Sequence, residues 1–390
     1  MSIAQIEAGP IGVVPKAATG QRAFFAPLEA FRGFAALLVA WFHSGFVYFE
    51  KPLLVRPANI YVDFFFVLSG FVLMHAYLGR VQSGMGFYRF AALRLARLWP
   101  LHMAMLFVWV VYIGTQVVLH KWAGIGDGEF GDTSLLSFVY NVLLIHSLGV
   151  MDHLTWNYPS WSISAEYYTY LIFFVFLSVF MRVKYTAITL ASLAATLGLF
   201  FISILRDSPS ILASHDFGLL RCIAGFFAGA AVYGLYQRYP LCLSRGLSSL
   251  VEIGALCLSI YCVVNSVADR GMQLASIASF VVLIFVFSSG RGILSDALSL
   301  SPFRFLGRIS YSVYLVHAIV LSAGGFVMKQ LFNLERTEIA PGHLAIATHL
   351  ATPINLLLLG IVIVISTFTY RYIELPGQSV MKRMLLRDGK

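Results

Sequence analysis

The chain has 390 residues, of which 59% are hydrophobic, 15% aromatic and only 12% charged, with a formal net charge of +9. An ordinary soluble domain carries about 25% charged residues, so this chain cannot cover a globular surface of its size, which excludes a soluble enzyme, a disordered chain and a fibrous protein. The 27 Lys and Arg are scattered between apolar runs and form no stripe, so they read as loop topology rather than as a nucleic-acid surface.

Residues 1–22 are polar apart from Ile11–Val14, which is too short for the apolar region of a signal peptide, so no cleavage is expected. A hydrocarbon core of about 30 Å needs about 20 apolar residues per crossing helix. Full-length runs lie near 28–49, 58–78, 98–119, 161–182, 185–205, 217–236, 247–266, 272–289, 309–332 and 347–370. An eleventh, 134–150, is shorter and holds Asn141 and His146. If the N-terminus is cytoplasmic and 134–150 does not cross, eighteen Lys and Arg fall on the inner side and seven on the outer. Letting 134–150 cross spoils that bias. The expected fold is therefore all-α: a polytopic transmembrane bundle of about ten spanning helices with both termini cytoplasmic, and 134–150 as a re-entrant or interfacial helix. Residues 120–160 then form one long outer segment carrying Asp127, Glu129, Asp132 and Asp152. No internal repeat is visible. Cys222, Cys242, Cys257 and Cys262 form no C-x-x-C, and the histidines form no H-x-x-x-H, so no metal site is expected.

An ionisable group inside a span costs about 2.5–3.5 kcal/mol on insertion scales, which makes each one a functional candidate. The acids read as lying well inside a span are Asp63 and Glu166; the bases are Arg32 and Arg221. Arg32 and His43 are eleven residues apart, so they share one face of the first run with a rise of about 16 Å. Either Arg32 snorkels and His43 is a satisfied core histidine, or the pair is functional. Asp63, in YVDFFFVLSGF, begins the second run; it either orients the imidazole of His43 or complements its helix dipole. Glu166 follows Trp161, Ser162 and Ser164 in WSISAEYYTY, at spacings that do not make a capping box. Arg94 and Arg97, in LRLARLWP, share a face and suit a phosphate or simply anchor the chain. Arg308, Ser310, Tyr311, Ser312 and Tyr314 make the start of the ninth run polar. Arg221 either contacts an anionic acceptor or pairs with Asp216.

Together FRGFAALLVAWFH, VDFFFVLSGF, RLARLWP, WSISAEYYTYL, RCIAGFFAGA, GRISYSVYLVH and YRYIELP, in this order, resemble acyltransferase family 3, the integral-membrane enzymes that O-acylate bacterial surface sugars and some other acceptors. The resemblance covers about residues 25–380. It implies a cytoplasmic tail over 1–24, a membrane acyltransferase domain over 25–376 and a cytoplasmic tail over 377–390, in a bacterial inner membrane. It also implies acyl-CoA, most commonly acetyl-CoA, as donor, and a hydroxyl of a glycan or lipid-linked sugar, of exopolysaccharide or O-antigen type, as acceptor. The family's arginine-and-histidine motif falls on Arg32 and His43, its paired arginines on Arg94 and Arg97, and its W-S-x-S-x-E motif on Trp161, Ser162, Ser164 and Glu166. Some relatives carry a second Glu where this chain has Tyr167. Many carry an added esterase-like domain after the membrane part, which is not expected here.

On this reading Arg32, Arg94, Arg97, Arg308 and Tyr311 bind CoA, while Trp161, Ser162, Ser164 and Arg221 contact the acceptor. His43 is the catalytic base or, in the competing mechanism, the carrier of a covalent acyl-histidine relay; Asp63 or Glu166 orients it, and Ser69 and Ser164 are candidate oxyanion donors. The competing class is a proton-coupled transporter or exporter that uses His43, Asp63 and Glu166 as a relay.

Overall fold

A computed structural model describes residues 25–44, 46–47, 51–125, 133–332, 344–345 and 348–386. The expected tail 1–24 and the loop acids Asp127, Glu129 and Asp132 lie outside the described residues. Each of the ten apolar runs contains a helix: α1 (Ala26–Phe42), α2 (Tyr61–Gln82), α3 (Phe87–Ala123), α5 (Trp161–Val179), α6 (Lys184–Leu205), α7 (Gly218–Arg238), α8 (Arg245–Val264), α9 (Arg270–Ser289), α11 (Ser301–Phe332) and α12 (Thr348–Thr369), with short α4 (Leu135–Val142) and α10 (Ile293–Leu298) between them. Nine helices among the described residues are long and apolar enough to cross a membrane. Helix α1, at 17 residues, sits at the lower limit for crossing. The chain is a multi-pass membrane protein.

The run 134–150 does not form a crossing helix. Helix α4 has eight residues, about 12 Å of rise. Ser134 and Ser137 close its N-terminus in a reciprocal capping box, and turns follow. The carbonyls after α4 are held by the bundle: Trp99 Nε1 donates to Val142 O at 3.1 Å and Ser164 Oγ to Leu144 O at 2.5 Å.

Small residues set the closest helix contacts, as membrane packing favours. Along α1 and α11, Gly33 faces Leu306 and Gly307, and Gly307 faces the Glu29 backbone. Along α2 and α7, Gly70 lies against the Phe226 carbonyl, and Gly229 against the Val67 carbonyl. Both pairs run parallel: Arg32 meets Ser310 and His43 meets His317 along the first, and Asp63 meets Arg221 and Phe66 meets Gly225 along the second, so residue numbers rise together. This matches the first and ninth, and the second and sixth, of ten alternating spans.

Two elements run longer than the expected spans. Helix α3 begins at Phe87 rather than near 98 and has 37 residues, about 55 Å. Its first turns carry Arg89, Arg94 and Arg97, so these arginines stand on a helix and not on a loop. Helix α12 runs into a π-helical turn, Tyr370–Glu374, and then α13 (Leu375–Leu385). Gly377, in α13, sits against Pro100 of α3, which seats Glu374 beside the arginine-bearing part of α3.

Candidate active site

The bundle encloses a cavity of about 200 Å³ with a mixed polar and apolar lining. Arg32 of α1, Ser69 of α2, Arg94 and Arg97 of α3, Ser162, Glu166 and Tyr170 of α5, and Ser310, Tyr311 and Tyr314 of α11 line it. Of the residues singled out from the sequence, Arg32, Ser69, Arg94, Arg97, Ser162, Glu166, Ser310, Tyr311 and Tyr314 thus converge on one space. They come from α1, α2, α3, α5 and α11.

The two arginines of α3 have different surroundings. Arg97 pairs with Glu374, whose second oxygen accepts from Ser312 Oγ at 2.7 Å. Its guanidinium also lies 4.9 Å over the Tyr311 ring, and Tyr311 donates to Leu98 O at 2.6 Å. Arg94 sits over the rings of Tyr77 and Tyr170, at 5.0 and 5.8 Å, and its buried Nε has no hydrogen-bond partner. Arg32 donates to Ser310 Oγ at 3.1 Å. Glu166 Oε1 accepts from Ser69 Oγ at 2.5 Å and from the Tyr170 hydroxyl. Three guanidiniums face one lining carboxylate, with Glu374 behind Arg97. The cavity therefore carries excess positive charge suited to phosphate oxygens.

From the cavity wall Tyr314 connects to the C-terminal end of α1. Its hydroxyl is 2.8 Å from Ser162 Oγ and donates to Pro159 O at 3.0 Å. Its ring lies 5.8 Å from that of His317. His317 in turn meets His43, with Nε2 3.1 Å from His43 Nδ1. The helix ends at Phe42, so His43 caps α1 instead of lying within a longer span. Its ring also packs 5.1 Å from Tyr158.

Several expectations are corrected. Asp63 does not hold His43. Both its oxygens accept from Arg221, at 2.7–3.2 Å, and the pair is 1% and 3% exposed. Arg221 is not open to an acceptor, because it also donates to Ala213 O and Asn59 O, each at 3.0 Å. Asp216 pairs with Arg206 instead. Arg308 is exposed and does not line the cavity. Trp161 lies beneath Arg221, 5.3 Å from its guanidinium. Ser164 faces the 144–147 turn, accepting from Ser147 N at 3.2 Å, so it is no oxyanion donor in the cavity. The reading of two acids inside spans also omits Glu252 of α8, 2% exposed. Glu252 accepts from Gly292 N and Ser295 N, at 2.7 and 3.0 Å, and so fastens the start of α10.

The site also contains groups that sequence reasoning passed over. His317 ends the GRISYSVYLVH motif and Glu374 lies within YRYIELP; both motifs were visible, but which of their residues turns inward was not.

Known proteins resemble this chain in sequence. The acyltransferase domain of acyltransferase family 3 matches residues 25–372. The chain is similar to "Putative peptidoglycan O-acetyltransferase YrhL" of Bacillus subtilis, 28% identical over 76% of this chain and 48% of that protein. It is also similar to peptidoglycan O-acetyltransferase OatA of Listeria monocytogenes, 25% identical over 77% of this chain and 50% of that protein. A third relative, "Protein 2 in picA locus" of Rhizobium radiobacter, is 39% identical over 24% of this chain and 49% of its own. The chain spans about half the length of the curated relatives it matches. No solved structure matches it. With the family domain extending from the start of α1 into the π-helical turn that bears Glu374, this chain is a membrane-spanning member of acyltransferase family 3.

Proposed function

We propose that this protein transfers an acetyl group from acetyl-CoA to a hydroxyl of a cell-surface glycan, with peptidoglycan the first acceptor to test because two relatives carry that name. The observation that carries the reading is a cationic cavity at one end of α1 and an imidazole pair at the other, joined through Ser162 and Tyr314.

Arg94, with Arg97 and Arg32, holds the phosphates of CoA, and Glu166 and Ser162 meet the pantetheine arm or thioester. Glu166 Oε1 is engaged by Ser69 and Tyr170, which leaves Oε2 for the ligand. His43 accepts the proton of the acceptor hydroxyl as its oxygen attacks the thioester carbonyl; the C–S bond breaks and CoA leaves as the thiol. Base catalysis of this kind contributes about 10²–10⁴-fold. The arginine end faces the cytoplasm and the histidine end the outer side, in keeping with the distribution of Lys and Arg and with an inner-membrane location.

A proton-relay transporter needs His43, Asp63 and Glu166 to communicate, and Asp63 is instead committed to Arg221. The deciding experiment uses purified protein in nanodiscs with acetyl-CoA and an N-acetylglucosamine oligomer. Acceptor-dependent release of CoA thiol is expected from the native protein. His43→Ala is expected to lose at least about 100-fold in rate while keeping its elution profile and melting temperature. Full activity in His43→Ala removes the base assignment.

A further inference from the structure

The parallel register of α1 and α11 that brings Gly33 to Leu306 and Gly307 brings His43 to His317 about ten residues further along both helices. The rings are stacked, with centroids 5.1 Å apart and planes 26° apart. His317 is fully buried. Its Nδ1 lies 3.2 Å from Val313 O. A carbonyl oxygen only accepts, so Nδ1 carries the proton and the Nε2 of a neutral ring keeps a lone pair. That lone pair faces His43 Nδ1 at 3.1 Å. His43 Nδ1 must then be the donor, as its 3.0 Å contact with Val39 O independently requires. The two backbone carbonyls thereby fix both tautomers and leave His43 Nε2 unprotonated.

We propose that His317 is the positioning residue of the reaction: it holds His43 as the Nδ1–H tautomer and accepts from that N–H when His43 becomes an imidazolium. The inference rests on the reading of His43 as base. In the step, the acceptor O–H proton passes to His43 Nε2, the C–O ester bond forms and the C–S bond breaks. The proton then leaves Nε2 for the CoA thiolate. His317 neither gains nor loses a proton; its lone pair takes the charge-assisted hydrogen bond from Nδ1–H. This is the place a carboxylate fills in a Ser-His-Asp triad. Among the described residues no carboxylate hydrogen-bonds to either ring. The other titratable groups facing the pair are Tyr158 beside His43, Tyr314 beside His317, and Lys51, which acts on His43 through its charge.

The test compares His317→Gln, whose amide oxygen can accept from His43 Nδ1, with His317→Phe, which keeps the ring but has no acceptor. With acetyl-CoA and the N-acetylglucosamine oligomer, His317→Phe is expected to lose at least about 100-fold in kcat with KM for acetyl-CoA unchanged. His317→Gln is expected to stay within about tenfold of native on the same grounds. Equal loss in two folded variants, or native activity in His317→Phe, overturns the proposal. ¹⁵N NMR of histidine-labelled native protein decides independently of activity and of variant folding. The signal that disappears in His43→Ala should include a pyridine-type Nε2; a pyrrole-type Nε2 there overturns the proposal even if His43 proves essential. A pyridine-type Nε2 together with full activity in His43→Ala instead upholds the tautomer and removes only the base reading.

Discussion

Arg94 and Arg97 look like one motif but answer to different partners. Arg97 neutralises Glu374, which is 1% exposed, so removing it strands a buried carboxylate. Breaking a buried pair in this way typically costs about 3–5 kcal/mol. Arg94 rests on two tyrosine rings with its Nε unpartnered, an arrangement with donors to spare for an anion. Arg94→Ala is therefore expected to raise KM for acetyl-CoA with little change in melting temperature, whereas Arg97→Ala lowers the melting temperature as well. Steady-state kinetics and thermal unfolding of the same preparations separate the two. Asp63 and Arg221 extend the contrast. Their pairing ties the start of α2 to α7, and Arg221 also satisfies two loop carbonyls. Arg221→Ala is expected to destabilise the fold by about 3–5 kcal/mol while leaving KM for the donor alone. If it melts normally but loses acceptor-dependent rate, Arg221 belongs to the acceptor site after all.

At the scale of elements, helix positions were legible because twenty-residue apolar runs have few other ways to satisfy their backbone in a membrane. The residues that share the cavity were legible as motifs, because charged and polar side chains inside an apolar run stand out. Their partners were not. Whether Asp63 turns toward α1 or α7 depends on helix rotation, which is set by small-residue contacts distant in sequence. Glu374 reaches the cavity wall through a π-helical turn, whose extra residue shifts the facing of everything after it; a 3.6-residue period hides that shift. The α2–α7 contact supplies the clearest test. A Cβ at Gly70 or Gly229 would sit 1.8 Å from a carbonyl oxygen of the other helix, so Gly70→Ala or Gly229→Ala must separate the helices and pull apart Asp63 and Arg221. Both variants are expected to lose monodisperse protein on size exclusion. Gly254, inside α8 with nothing within 4 Å of its Cβ, is the control. Its change to Ala should be neutral or stabilise by up to about 1 kcal/mol, the helix-interior difference between the two residues.

For the molecule as a whole, function depends on which end faces which compartment. On the proposed reading the donor is a CoA thioester supplied from the cytoplasm, so the arginine cavity opens there and the His43 end meets the acceptor. The helices constrain the answer: α1 and α11 are parallel, α2 and α7 are parallel, and α4 is too short to cross, so the ten long helices alternate without an inversion at 134–150. The turn between α7 and α8 then lies on the same side as the cavity. It is bounded by Arg238 and Arg245 and contains Cys242, which is exposed. Cys222 and Cys262 are buried, and Cys257 is exposed only within α8, where lipid would surround it. The native cysteines therefore form a topology probe. In intact cells a membrane-permeant maleimide should label Cys242 and a charged, impermeant one should not, while both should label it in inverted vesicles; Cys242→Ser should abolish the signal. Labelling of intact cells by the impermeant reagent would put the arginine cavity on the outer side, out of reach of CoA.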